Sequence, residues 1–162
     1  AQTINFLTEN NITDYEILVD KTKAATYRYH ELSQQIKDLE KRMAEITELK
    51  KHIINYSKTK EIYSAYRESG YSAKFNSDNS HDIMLHQHAK QAFNLLSHKQ
   101  IPTMKSLQLE YQECLTMKNL LMKKYKSIKS IMNQSVVTKN NVDLILRASV
   151  AKDGKTERIL EK

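Results

Sequence analysis

Nine positions between Leu18 and Ile46 recur at alternating steps of four and three: Leu18, Thr22, Ala25, Tyr29, Leu32, Ile36, Leu39, Met43 and Ile46. Steps that alternate in this way hold one stripe of an α-helix on a single side, which is the seam of a coiled coil. A second seam opens after Pro102 and passes through Met104, Leu107, Tyr111, Cys114, Lys118, Leu121, Tyr125, Ile128, Met132, Ser135, Lys139, Val142 and Leu146. With its continuation through Leu49, Ile53, Tyr56 and Tyr63 the first seam, like the second, is about 45 residues long, or roughly 70 Å at the helical rise. Two stripes of equal length can cover each other, so they are expected to pack together.

Only two glycines and one proline occur in 162 residues, too few for the tight turns that a β or α/β domain requires. The expected fold is all-α: a long antiparallel two-helix hairpin, coiled-coil-like, with a small helical tip and a short N-terminal helix. Residues 1–12 form the short helix, with Ile4, Phe6 and Leu7 close together. Residues 13–147 form the hairpin. Thr13 stands three residues before Glu16, the spacing of a capping box, so the first long helix should begin at Asp14. After Ile46 the seam continues through Leu49, Ile53, Tyr56 and Tyr63 with one phase slip, and Gly70 is the first residue that would stop it. The tip insertion covers about 69–102, where Ile83, Met84, Ala89, Ala92, Phe93 and Leu96 give a short helix its apolar face. Residues 148–162 turn polar, contain Gly154, and read as a tail or linker. The same seams also serve a coiled-coil dimer, so monomer and dimer both remain open.

A single cysteine, Cys114, excludes an intrachain disulfide and points to a reducing compartment. No apolar run is long enough to span a membrane, and no signal peptide opens the chain, so a cytoplasmic location without membrane contact is expected. The net charge is +7, unevenly spread. Residues 1–50 hold 7 basic and 9 acidic side chains, residues 101–162 hold 12 and 6.

Six histidines raise the question of a metal. His86 and His88, two residues apart, point about 200° apart on a helix, and His81 and His88 lie two turns apart, too far for one ion. His30, His52 and His98 are scattered elsewhere. No metal and no other cofactor is expected. Cys114 lies in the second seam, where a small buried residue fits without a chemical role.

The charge pattern is more informative. From Leu115 to Val142 no acidic residue occurs, while Lys118, Lys123, Lys124, Lys126, Lys129 and Lys139 are present. Such a run is either a solvated face or a track for a phosphate backbone. Asp38, Glu40, Glu45 and Glu48 on the first helix should lie across from the middle of this helix and neutralise part of it. In a second group, aromatic rings alternate with cations: Tyr66, Arg67, Tyr71 and Lys74 at the tip could stack on bases and meet phosphates. Tyr56 and Tyr63, nearby, read as seam residues.

The blocks "INFLTENNI", "HIINYSKTKEIYSAYRESGYSAKF", "DIMLHQHAKQAF", "IPTMKSLQLEY" and "NNVDLIL", in this order, resemble the region that follows the nuclease domain in relaxases, the mobilisation nucleases of Gram-positive conjugative transposons. The resemblance runs from Ile4 to Leu146, and its most specific block is residues 55–75. It implies a parent protein that nicks DNA with a tyrosine and a histidine-held metal in an N-terminal domain. That domain has no counterpart here, and His86, Gln87, His88 does not reproduce the histidine motif. No catalytic residue is carried over. The expected function is therefore non-catalytic: binding DNA at the transfer origin through the basic helix, or alternatively docking other transfer-machinery proteins or dimerising.

Overall fold

The computed structural model describes residues 1–96 and 100–160, with side chains described for all of these except 153–160. His98 and the last two residues of the expected tail lie outside the described residues. Five α-helices follow in order: α1 (Gln2–Glu9), α2 (Tyr15–Glu68), α3 (Ala73–Asp78), α4 (Ser80–Asn94) and α5 (Met104–Leu160). No strand occurs among the described residues, so the chain is all-α. No described helix is long and apolar enough to cross a membrane. The chain divides into two compact units, one formed by Ala1–Ile36 with Asn119–Lys162 and the other by Lys37–Lys118.

In the first unit α2 and α5 run antiparallel, since Tyr15 meets Asp143 and Tyr29 meets Tyr125. Leu18, Thr22, Ala25, Leu32 and Ile36 are buried on α2, as the seam predicts, against Leu121, Ser135 and Thr138 on α5. Full burial of a leucine contributes about 1.5–3 kcal/mol, so Leu18 and Leu32 anchor this unit. The seam on α5 gives way to hydroxyls here. Thr22 satisfies its own by donating to Leu18 O at 2.7 Å. Helix α1 buries Phe6 and ends in a Schellman motif: Ile12 N–H donates to Leu7 O and Asn11 N–H to Thr8 O, with Asn11 left-handed at φ 51°.

The helix start differs by one residue from the expected capping box. Asp14, not Thr13, is the cap, accepting from Ile17 N–H at 2.9 Å, and α2 begins at Tyr15. An aspartate next to the threonine offers a charged acceptor at the positive end of the helix, which accounts for the shift. At the other end α5 does not stop near Leu146 but continues to Leu160. One glycine costs a helix only about 1 kcal/mol, and Ala148, Ala151 and Lys152 are good helix formers.

The second unit repeats the antiparallel pairing. Arg42 grips Glu110 through two bonds, Nε to Oε1 at 2.6 Å and Nη2 to Oε2 at 3.1 Å, and Lys50 donates to Gln108 at 2.6 Å. Met43, Ile46 and Leu107 are buried between the two helices. Helix α2 ends where Gly70 was expected to end it. Gly70 N–H donates to Arg67 O and Tyr71 N–H to Tyr66 O, with Gly70 at φ 68° and the Tyr71 ring edge-on to Tyr66, the apolar contact that accompanies a Schellman motif. Ser72 then caps α3, and Thr103 caps α5 by accepting from Ser106 N–H at 3.0 Å.

Helix α4 supplies the tip, but its buried face is Ile83, His86, Ala89 and Phe93. Met84, expected inside, is exposed, and His86 takes its place in the core. The steps Ile83, His86, Ala89, Phe93 keep one helical face, whereas Met84 lies about 100° away from Ile83.

Candidate nucleic-acid interface

The lysine run is split by the folding. Lys118 belongs to the second unit, where its ammonium is 2.7 Å from Glu40. Of the four acids expected to neutralise this region, Glu40 reaches across; Glu45 pairs with Arg42 and Glu48 with Lys51, both within α2. In the first unit Lys139 is also spoken for, since it donates to Asp143 at 2.7 Å and stands 5.9 Å over the Tyr15 ring. Tyr15 adds a 2.6 Å bond to the same carboxylate. The Lys139 ammonium, and then the Tyr15 hydroxyl, hold the Asp143 carboxyl below its usual range. Lys118 and Lys139, both expected to meet DNA, are thus each held in an ion pair with a carboxylate of the protein.

Lys123, Lys124, Lys126 and Lys129 remain. All four are exposed, and among the described residues none has a carboxylate within salt-bridge distance. Their orientation follows from register. Leu121, Tyr125, Ile128 and Met132 face α2, so Lys123, about 160° from that stripe, points outward with Lys126 beside it, and Lys124 and Lys129 flank them. The stacked pair Tyr29 and Tyr125, hydroxyls 2.9 Å apart, sets the local alignment. By that alignment Glu31 is the nearest α2 carboxylate, and Arg28 already holds it. Four like charges about 9 Å end to end are left without a counter-ion among the described residues.

The tip residues fare differently. Tyr66 is buried, with Tyr63, Tyr71 and Phe75 around its ring at centroid distances of 5.2–6.1 Å. It is a core residue, and the expectation that it stacks on a base is corrected. Tyr71 is 56% exposed, and Arg67 and Lys74 are exposed as well. Arg67 in the last turn of α2, Tyr71 in the connection and Lys74 in α3 all belong to the second unit.

His86 was not read as part of any core, yet it is 3% exposed and lies between two tyrosines, 4.5 Å from Tyr56 and 4.2 Å from Tyr63, nearly parallel to both. Phe93 closes the stack edge-on to Tyr56. The Thr59 hydroxyl donates its single proton to Asn55 O at 2.7 Å, so at the 3.0 Å contact His86 Nδ1–H must be the donor. Burial pushes the His86 imidazole below its usual pKa, and Lys90 adds to this. His88 is exposed on the other side of α4, as the helical spacing requires. Among the described residues no three His, Cys, Asp or Glu side chains converge on a point.

Between α1 and α5 lies a groove of about 430 Å³, lined by the carboxamides of Gln2, Asn5, Asn133, Gln134 and Asn141, with Phe6, Val137 and Thr138 below and Glu9 at its side. Asn141 Nδ2 donates to Thr3 Oγ1 at 3.0 Å and ties the walls together. The available signal was the i, i+3 spacing of Gln2 and Asn5 and the run Asn133, Gln134 one turn beyond Lys129.

No protein-family model matches the chain, and neither a curated protein nor a solved structure matches it.

Proposed function

We propose that this chain is a non-catalytic, DNA-binding helical domain of a conjugative relaxase, gripping DNA near the transfer origin through α5. The observation that carries this reading is the cluster Lys123, Lys124, Lys126 and Lys129, exposed and without carboxylates within reach among the described residues. Neutralising phosphates with such a cluster releases counter-ions, a sequence-independent source of affinity. The sequence blocks resembling relaxases supply the biological setting.

Titrating the chain with single- and double-stranded DNA at several salt concentrations tests this. Log affinity should fall linearly with log salt, with a slope of about −3 if four lysines each meet a phosphate of a single strand. The pair Lys124→Glu and Lys126→Glu should lower affinity at low salt by on the order of a hundredfold and flatten the slope by about 1.5. Reversing Arg67 and Lys74 instead separates shaft from tip. No binding at low salt would sink the proposal.

A second reading rests on another observation. Leu144, Ile145, Leu146 and Val150 are exposed on α5, and clustered exposed apolar residues mark protein contacts. Docking of another transfer-machinery protein, or a second copy, would use this stretch.

A further inference from the structure

We infer that the groove between α1 and α5 holds one unpaired base of single-stranded DNA, adenine best, while the strand's phosphates run along Lys126 and Lys129. This rests on the DNA-binding reading and says what part of the nucleic acid is read. Among the described residues the carboxamides of Gln2, Asn5, Asn133 and Gln134 make no hydrogen bond to protein, so four groups, each both donor and acceptor, are available in one place. Asparagine and glutamine match the paired donor and acceptor of adenine, N6 amino and N7.

The rest of the lining selects against other occupants. Among the described residues no lysine or arginine lines the groove, and Glu9 does, so a phosphate or carboxylate is repelled from it. A carboxylate does accept from an exocyclic amino group. Phe6 and Val137 offer an apolar floor for a flat ring, and a groove of this volume falls in the range that encloses small ligands. A paired base cannot enter a cleft between two helices, which limits the partner to a single strand. Register supplies the connection to the phosphates: Lys129 and Asn133 are four residues apart, on one face and about 6 Å along the axis, and Lys126 lies one turn earlier.

The division of labour gives the test. Phosphate contacts set affinity and salt dependence, whereas base contacts set preference. Fluorescence anisotropy of the full chain is measured with labelled single-stranded oligomers of equal length: all-adenine, all-thymine, and abasic. The expected result is about tenfold tighter binding to the adenine oligomer than to the abasic one. The double variant Asn133→Ala with Gln134→Ala should lose that preference while keeping the salt slope, its helicity checked by circular dichroism. Lys126→Glu with Lys129→Glu should flatten the slope by about half while keeping the preference. Equal affinity for all three oligomers with a normal salt slope, or a double variant that keeps its preference, overturns the groove assignment and leaves the DNA reading standing. No binding of any oligomer overturns both.

Discussion

The two units differ in how they use part of their polar and aromatic side chains. In the second unit several are paired within the protein, with His86 stacked between Tyr56 and Tyr63, Tyr66 enclosed by other rings, and Arg42, Lys50 and Lys118 bonded to partners on the facing helix, while Arg67, Tyr71 and Lys74 stay exposed. In the first unit four lysines and four groove carboxamides face solvent, Thr22 and Ser135 stand at buried seam positions, and Thr138 is buried beside the seam. The same coiled-coil pattern thus supports a self-satisfied core at one place and an open surface at another. Groups already paired within the protein have little left to offer a ligand. The contrast makes the first unit the place to test for recognition and the second the place to test for stability.

The largest effect that tests this division is His86→Ala. Removing the middle ring of a stack should cost about 3 kcal/mol, seen as a lower urea midpoint with an unchanged slope. DNA affinity measured well below that midpoint should not change. A fall in affinity along with stability would break the division.

A smaller effect comes from pH. The folded pKa of His86 is lowered, so between that value and the unfolded value near 6.5 the unfolded chain binds more protons than the folded one. Stability is then fully present above about pH 6.5 and declines as pH falls through the window, by at most about 1.4 kcal/mol per unit. His86→Phe should remove this component while keeping a ring in the stack. Urea unfolding at closely spaced pH values from 7.5 downwards measures it, and a His86→Phe profile that matches the parent's would show that another group titrates.

The smallest is Arg42→Ala. Its bidentate bond to Glu110 is well formed but solvent-accessible, so the loss should be about 0.5–1 kcal/mol by the same urea assay. A loss several times larger would mean that surface pairs, more than the aromatic stack, hold the second unit.

Much of the fold was legible because periodicity depends only on side chains repeating along one helix. Leu18, Ala25, Leu32, Ile36, Met43 and Ile46 are all buried where the seam places them, and Gly70 and Thr103 mark helix ends through backbone rules local to a few residues. Tertiary context decided the rest. Met84 and His86 sit two residues apart, and hydropathy favours the methionine inside; two tyrosines and a threonine from α2 reversed that order. Lys118 and Lys139 are indistinguishable in sequence from the other lysines, and only the fold brings Glu40 and Asp143 beside them. The groove was invisible because its two walls, α1 and the far part of α5, are separated by more than a hundred residues of chain.

Helix α1 has eight residues, fewer than an isolated helix needs to persist in water. Its form is lent by Phe6, by the Asn141 bond to Thr3, and by Lys21, which reaches Asn10 O. The wall of the amide-lined cleft therefore owes its shape to docking more than to its own helicity, so the cleft and the contacts that seat α1 stand or fall together.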